Sequence, residues 1–227
     1  MLLYYITDRK GFPGSESERR TSLLRRIADA ARAGVDYIQL REKDLAPDEL
    51  RRLARAAVTA IRAISATTNL LINSSVDIAI AAGADGVHLP AGSPLPSKIR
   101  AAWFQSGVGE PLIGVSAHSV EDVLQAQTQG ASFAVFAPIF EKAAIGGRGV
   151  GLDALRLACS QASAPQHGFP VLALGGVTLA NARSCLAAGA AGLAGIRLFQ
   201  QGDIAETVRQ LRDLATSRWA DGARIIS

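Results

Sequence analysis

Residues 82–89 read AGADGVHL, a small-residue turn followed at once by an apolar run. The same grammar returns at residues 33–40 (AGVDYIQL), 129–136 (QGASFAVF) and 188–196 (AGAAGLAGI). In each copy an alanine-rich helical stretch ends, a glycine follows and a β run begins. Glycine suits that position because the left-handed conformation that closes a helix costs it little. Unequal spacing of the copies points to a repeated αβ unit rather than a solenoid.

Between the copies lie further β runs at residues 2–7 (LLYYIT), 70–73 (LLIN), 112–116 (LIGVS) and 171–175 (VLALG). Their near-continuous apolarity is that of strands buried on both faces of a parallel sheet. Amphipathic stretches, for example residues 48–64 and 119–129, separate them. Interleaving the two sets gives eight strand–helix units in 227 residues, the arithmetic of an α/β (β/α)8 or TIM barrel. A doubly wound open sheet is the competing architecture, and no early G-x-G-x-x-G supports it. No linker is evident, so one barrel domain over residues 1–227 is expected, with residues 163–170 as the connection into the seventh strand.

Composition narrows the function classes. The net charge is +4 with a pI near 9.4, but the arginines are scattered along helical stretches beside Asp and Glu, without an aromatic platform. That reads as solvated helix faces and not as a nucleic-acid surface, and a mild positive surplus suits a phosphorylated metabolite. Cys159 and Cys185 have neither metal nor redox spacing and are expected to pack as small apolar residues in a reducing cytoplasm. The apolar start of the chain is too short for a signal peptide, and no run is long enough to span a bilayer. A homo-oligomer is compatible with all of this.

A barrel of this kind carries its active site at the C-terminal ends of the strands. Gln39, Arg41 and Lys43 lie at and after strand 2, Asn73 after strand 3, and Ser116 and His118 at the end of strand 5. Arg41 and Lys43 either grip an anion at the mouth or pair with the adjacent Glu42 and Asp44. Gly175 and Gly176, followed by Thr178 as the opening of a helix, resemble a phosphate-binding turn; an ordinary strand-to-helix turn is the alternative. Ile196 and Arg197 follow strand 8 on the other side of that site. The fourteen residues 138–151 contain four glycines, so Arg148 and Lys142 belong either to a flap over an anion or to an unstructured loop. His88 falls inside a strand and is read as a packed barrel histidine with a polar partner, and His167 as an inert loop residue. Ser119 and Asp122 have capping-box spacing at the start of a helix, which leaves His118 without a structural task.

YIQLREKD, LLIN, AGADGVHL, IGVSAHS, APIFE, GRGVGL and LALGGVT, in order over nearly the whole chain, resemble the thiamine phosphate synthase and TenI superfamily. The resemblance implies a barrel acting on thiazole phosphate in thiamine biosynthesis. Its synthase branch joins hydroxymethylpyrimidine diphosphate to thiazole phosphate, with magnesium on the leaving pyrophosphate. That branch carries an acid after strand 3, an acidic Gly-Gln-Asp/Glu-Asp loop after strand 4 and a Pro-Thr-x-Thr-Lys segment after strand 6. Here the chain reads Asn73-Ser74-Ser75, Pro90-Ala91-Gly92-Ser93 and Phe140-Glu141-Lys142-Ala143. Asp77 is the nearest acid, but it falls within the next helix. HLPAGSPLPSKIR, SAHSVEDVLQAQ and GGRGVGL are close to the TenI branch, which implies a thiazole tautomerase, an isomerase with His118 moving the proton and no metal. Gly175, Gly176, Ile196 and Arg197 would hold the phosphate, and Arg41 and Lys43 would bind the carboxylate or line the pocket. QLREK departs toward the synthase, and Arg197 replaces a small residue and could aid or obstruct the phosphate.

The tautomerase is therefore the expected activity and the synthase, with magnesium, its alternative. A barrel that binds thiazole phosphate without turnover is a second alternative, and a Schiff-base aldolase using Lys142 ranks below both.

Overall fold

A computed structural model describes residues 1–93, 95–140, 149–162 and 168–222, with side chains of the last helix to residue 214. Along the chain β1 (Leu2–Ile6) leads through a 3-10 turn (Arg9–Gly11) to α1 (Glu16–Arg32), then β2 (Tyr37–Leu40) and α2 (Pro47–Arg62). Next come β3 (Asn69–Asn73), α3 (Val76–Ala82), β4 (Gly86–Leu89), α4 (Pro96–Gln105), β5 (Leu112–Ala117) and α5 (Val120–Thr128). The chain continues through β6 (Phe133–Phe136), α6 (Gly151–Ala162), β7 (Val171–Ala173) and α7 (Ala182–Ala187). It ends with β8 (Gly192–Gly195), a short α8 (Arg197–Gln200) and α9 (Ile204–Gly222). The eight strands are parallel, each pairs with the next, and β1 pairs with β8, so the sheet closes. This is the expected (β/α)8 barrel. The glycines of the four repeats, Gly34, Gly83, Gly130 and Gly189, all have positive φ, as the helix-terminator reading requires.

Alternation along the strands divides the apolar residues into two cores. Leu3, Tyr5, Ile38, Leu40, Leu70 and Ile72 join the helices in the outer core, while Tyr4, Ile6, Leu71, Phe133, Val135, Leu172 and Ala194 fill the barrel. Phe133 stacks on Tyr37 with ring centroids 5.2 Å apart and meets Tyr4 edge-on at 5.4 Å. These rings close the lower barrel, so the polar inward positions fall at its upper end. Cys159 and Cys185 are buried in the outer core, and burial pushes both thiols up to about 11. Among the described residues no helix is long and apolar enough to cross a membrane.

Candidate active site

Inward alternation carries Gln39 on β2 and Arg41 just after it, Asn73 on β3, His88 on β4, Ser116 on β5 and His118 just after it to one end of the barrel. There they line a single cavity of about 1160 Å³ with Lys43, Gly175, Gly176, Ile196 and Arg197. Every sequence-predicted site residue within the described residues is thus brought to the mouth; Arg148, Lys142 and His167 lie outside them. The volume lies slightly above the roughly 300–1,000 Å³ typical of small-molecule pockets.

The floor is a hydrogen-bonded chain of buried groups. The Gln39 amide donates to the Tyr4 hydroxyl (2.9 Å), which leaves that hydroxyl to donate to Nδ1 of His88 (3.1 Å). Nε2 of His88 then carries the proton and donates to Oγ of Ser116 (2.9 Å). Burial, and secondarily the Arg41 charge, pushes the His88 pKa down to about 3, so the ring is neutral at physiological pH. The expected packed histidine with a polar partner is found, but it also lines the cavity.

His118 is exposed at the rim. Its backbone N–H is held by Asp122 (2.8 Å), and its Nδ1 donates to the carbonyl of Ala137 (2.7 Å). With Nδ1 committed to that carbonyl, Nε2 is the ring nitrogen left for other contacts. Ser119 and Asp122 form the anticipated capping box of α5.

The acid–base tetrad after β2 resolves by parity. Arg41 and Lys43 line the mouth, whereas Glu42 and Asp44 turn to Arg9 in the first β–α loop. Arg41 and Lys43 are therefore not the pairs of their neighbours. The opposite side of the mouth departs from the sequence reading in one respect. Thr178 does not open a helix: α7 begins at Ala182, and the Thr178 N–H is capped by Oδ1 of Asn181 (2.8 Å) while Nδ2 of Asn181 donates to the Gly176 carbonyl (2.9 Å). Asn181 closes a turn ahead of the helix, so the start moves four residues on. Gly175 and Gly176 both have positive φ, and a Cβ on Gly175 would come within 2.6 Å of Cα of Pro138. Glycine is needed at Gly175 for its backbone conformation and for packing against Pro138.

The segment after β1, Thr7-Asp8-Arg9-Lys10, was not singled out as a strand end, although the criterion used for the other seven strands selects it. It holds Arg9, buried against Glu42 and Asp44.

Comparison with known proteins gives concordant names. A family model described as thiamine monophosphate synthase matches residues 3–199. A Geobacter sulfurreducens protein named "Putative thiamine-phosphate synthase" is 41% identical over 223 residues, covering 96% of each chain. A thiamine-phosphate synthase of Methanoculleus marisnigri is 36% identical over 225 residues, covering 97% of this chain and 98% of its own. Among solved structures, a thiamine phosphate pyrophosphorylase from Pyrococcus furiosus superposes with a TM-score of 0.75 at 26% identity, covering 95% of this chain and 96% of that one. These names correct the expected order of activities: the relatives are called synthases, which are transferases, so the tautomerase, an isomerase, is no longer the leading reading.

Proposed function

Because this chain belongs to the thiamine monophosphate synthase family and so to thiamine biosynthesis, we propose that its barrel mouth joins hydroxymethylpyrimidine diphosphate to thiazole phosphate. The observation that carries this reading is a roomy cavity lined by the cations Arg41, Lys43 and Arg197, with no carboxylate among its described lining residues. Two anionic substrates and an anionic product suit such a mouth.

In the coupling, the bond between the pyrimidine methylene carbon and the diphosphate oxygen breaks, and its electron pair leaves on pyrophosphate. The thiazole ring nitrogen contributes its lone pair to the new carbon–nitrogen bond and becomes cationic. Charge therefore grows on the departing oxygen, where Arg41 and Lys43 offer preorganised positive groups. The turn at Gly175 and Gly176, with Ile196 and Arg197 opposite, holds the thiazole phosphate and fixes the nitrogen toward the methylene. No proton leaves the thiazole, so His118 serves through a contact of its Nε2 and not as a proton carrier.

The family resemblance implies magnesium on the pyrophosphate. Magnesium wants hard oxygen ligands, usually carboxylates, in near-octahedral order. Among the described residues the mouth offers three cations and amide or hydroxyl oxygens, and no group of three His, Cys, Asp or Glu side chains could hold a metal. Asp77, the nearest acid by sequence, is exposed in the first turn of α3. This donor set does not fit a protein-held magnesium ion, so no step above passes through one.

Incubation with both substrates tests the reading. Thiamine phosphate and pyrophosphate should form in equal amounts, and His118→Ala should slow the rate by about tenfold, the worth of one hydrogen bond, without abolishing it. Failure of the folded protein to form thiamine phosphate sinks the proposal.

A further inference from the structure

The mouth cations sit in sequence between two acids, in the order Arg41-Glu42-Lys43-Asp44. Left alone, such a tetrad neutralises itself, and the mouth would lose most of its charge. In the structure the acids have another partner. The Arg9 guanidinium, only 4% exposed, donates from Nη1 to Glu42 (3.1 Å) and makes a two-pronged contact to Asp44 (2.7 and 2.8 Å). Its Nε reaches Glu16 (2.7 Å), and its backbone N–H points at both Glu42 oxygens (3.2 Å each). Thr7 completes the clamp: its hydroxyl donates to Glu42 (2.6 Å) and accepts the backbone N–H of Arg41 (3.0 Å). The Thr7 hydroxyl therefore joins the carboxylate that turns away from the mouth to the backbone of the cation that turns toward it.

We infer that Arg9 is a positioning residue for anion binding: it sequesters Glu42 and Asp44, and so keeps Arg41 and Lys43 free for the substrate's diphosphate. Arg9 itself does not line the cavity. A lysine there would be a point charge, unable to fork onto Asp44 while holding Glu42 and Glu16. The arrangement accords with the chemistry of the pair. Arg9 and Lys10 hold the Asp44 carboxyl well below the usual range, whereas burial outweighs Arg9 and Thr7 at Glu42 and raises its pKa. Glu42 is thus an expensive buried carboxylate that moves if its partner is lost.

The inference rests on the proposed diphosphate site, and inorganic pyrophosphate, titrated by calorimetry, probes both. The folded wild type should bind it; absence of binding overturns the proposed function itself. Arg9→Met should weaken binding about tenfold or more, because the released acids pair with Arg41 and Lys43. Arg9→Met combined with Glu42→Gln and Asp44→Asn should return affinity to within about threefold of wild type, since no acid is left to compete. Arg9→Met should also flatten the salt dependence of pyrophosphate binding, because fewer cations engage the ligand, a change that a purely structural loss does not give. Wild-type affinity in Arg9→Met, or an unrescued triple variant that is folded by circular dichroism, overturns the inference while leaving the function reading intact. If Arg9→Met does not fold, Arg9→Lys with and without Asp44→Asn carries the same comparison: the lysine variant should bind more weakly than wild type and regain affinity when Asp44 is neutralised, and no difference overturns the inference.

Discussion

His88 shows how one side chain can serve structure and site together. It is 4% exposed, sandwiched between the Tyr4 hydroxyl and Ser116, and neutral because burial lowers its pKa to about 3. An unfolded chain takes up a proton at this position near pH 6.5, as an ordinary histidine does. Between about 6.5 and 3 the unfolded state therefore binds more protons than the folded one, and stability rises with pH through that window. His88 stabilisation is complete above the unfolded pKa and is lost progressively as pH falls. His88→Gln removes the titration while keeping an amide to meet Tyr4 and Ser116. The denaturant midpoint of the wild type should thus fall more steeply from pH 7 to pH 4 than that of the variant; parallel profiles would refute this account. Sequence alone yields half of it, since a histidine inside an apolar run is recognisably packed. That the ring also lines the cavity follows only from its register with Asn73 and Gly114 across the sheet.

At the scale of the element, the repeat AGADGVHL contains two glycines three residues apart whose tasks differ. Gly83 ends α3 at φ +70°, and a Cβ there would meet nothing within 4 Å. Gly86 opens β4 opposite Leu112, and a Cβ there would lie 1.8 Å from the Leu112 carbonyl oxygen. Gly83→Ala should cost only the left-handed strain of about 1–2 kcal/mol, a drop of a few degrees in Tm for a chain of this size. Gly86→Ala has to part the backbones of β4 and β5, so it should exceed about 4 kcal/mol or abolish the cooperative transition in thermal melts. Equal effects would show that the ladder relaxes more easily than the geometry indicates. The first glycine was legible, because helix ends announce themselves locally. The second was not, because its cause is a neighbouring strand twenty-six residues away in sequence. The same limit explains Thr178: a Gly-Gly-x-Thr turn looks like a helix start, and only the Asn181 side chain folded back onto Gly176 and Thr178 shows that the helix begins later.

Across the whole molecule, the barrel turns a two-residue alternation into a segregation of charge. Strand order, the eightfold count and the mouth residues could be read from repeats and strand ends, because a parallel barrel gathers every strand's C-terminal end on one face. The activity could not be read in the same way. His118 and the missing carboxylates favoured a proton shift, but Arg41 and Lys43 appear as free cations only once Arg9, from a loop more than thirty residues earlier, is seen to hold their neighbours. A mouth with Arg41, Lys43 and Arg197, and no carboxylate among its described lining residues, favours a bare polyanion over a metal-bound one. Magnesium titrated into the free protein should therefore give no binding at the mouth. It should weaken pyrophosphate binding instead, by neutralising the ligand before it meets the cations. Added monovalent salt should act in the same direction, because the Debye length is only about 8 Å at physiological ionic strength. Calorimetric titrations of pyrophosphate with excess chelator, with magnesium and with added salt distinguish the cases. Affinity highest in chelator at low salt supports a mouth whose own cations carry the charge, whereas tenfold tighter binding with magnesium shows that the protein supplies metal ligands after all.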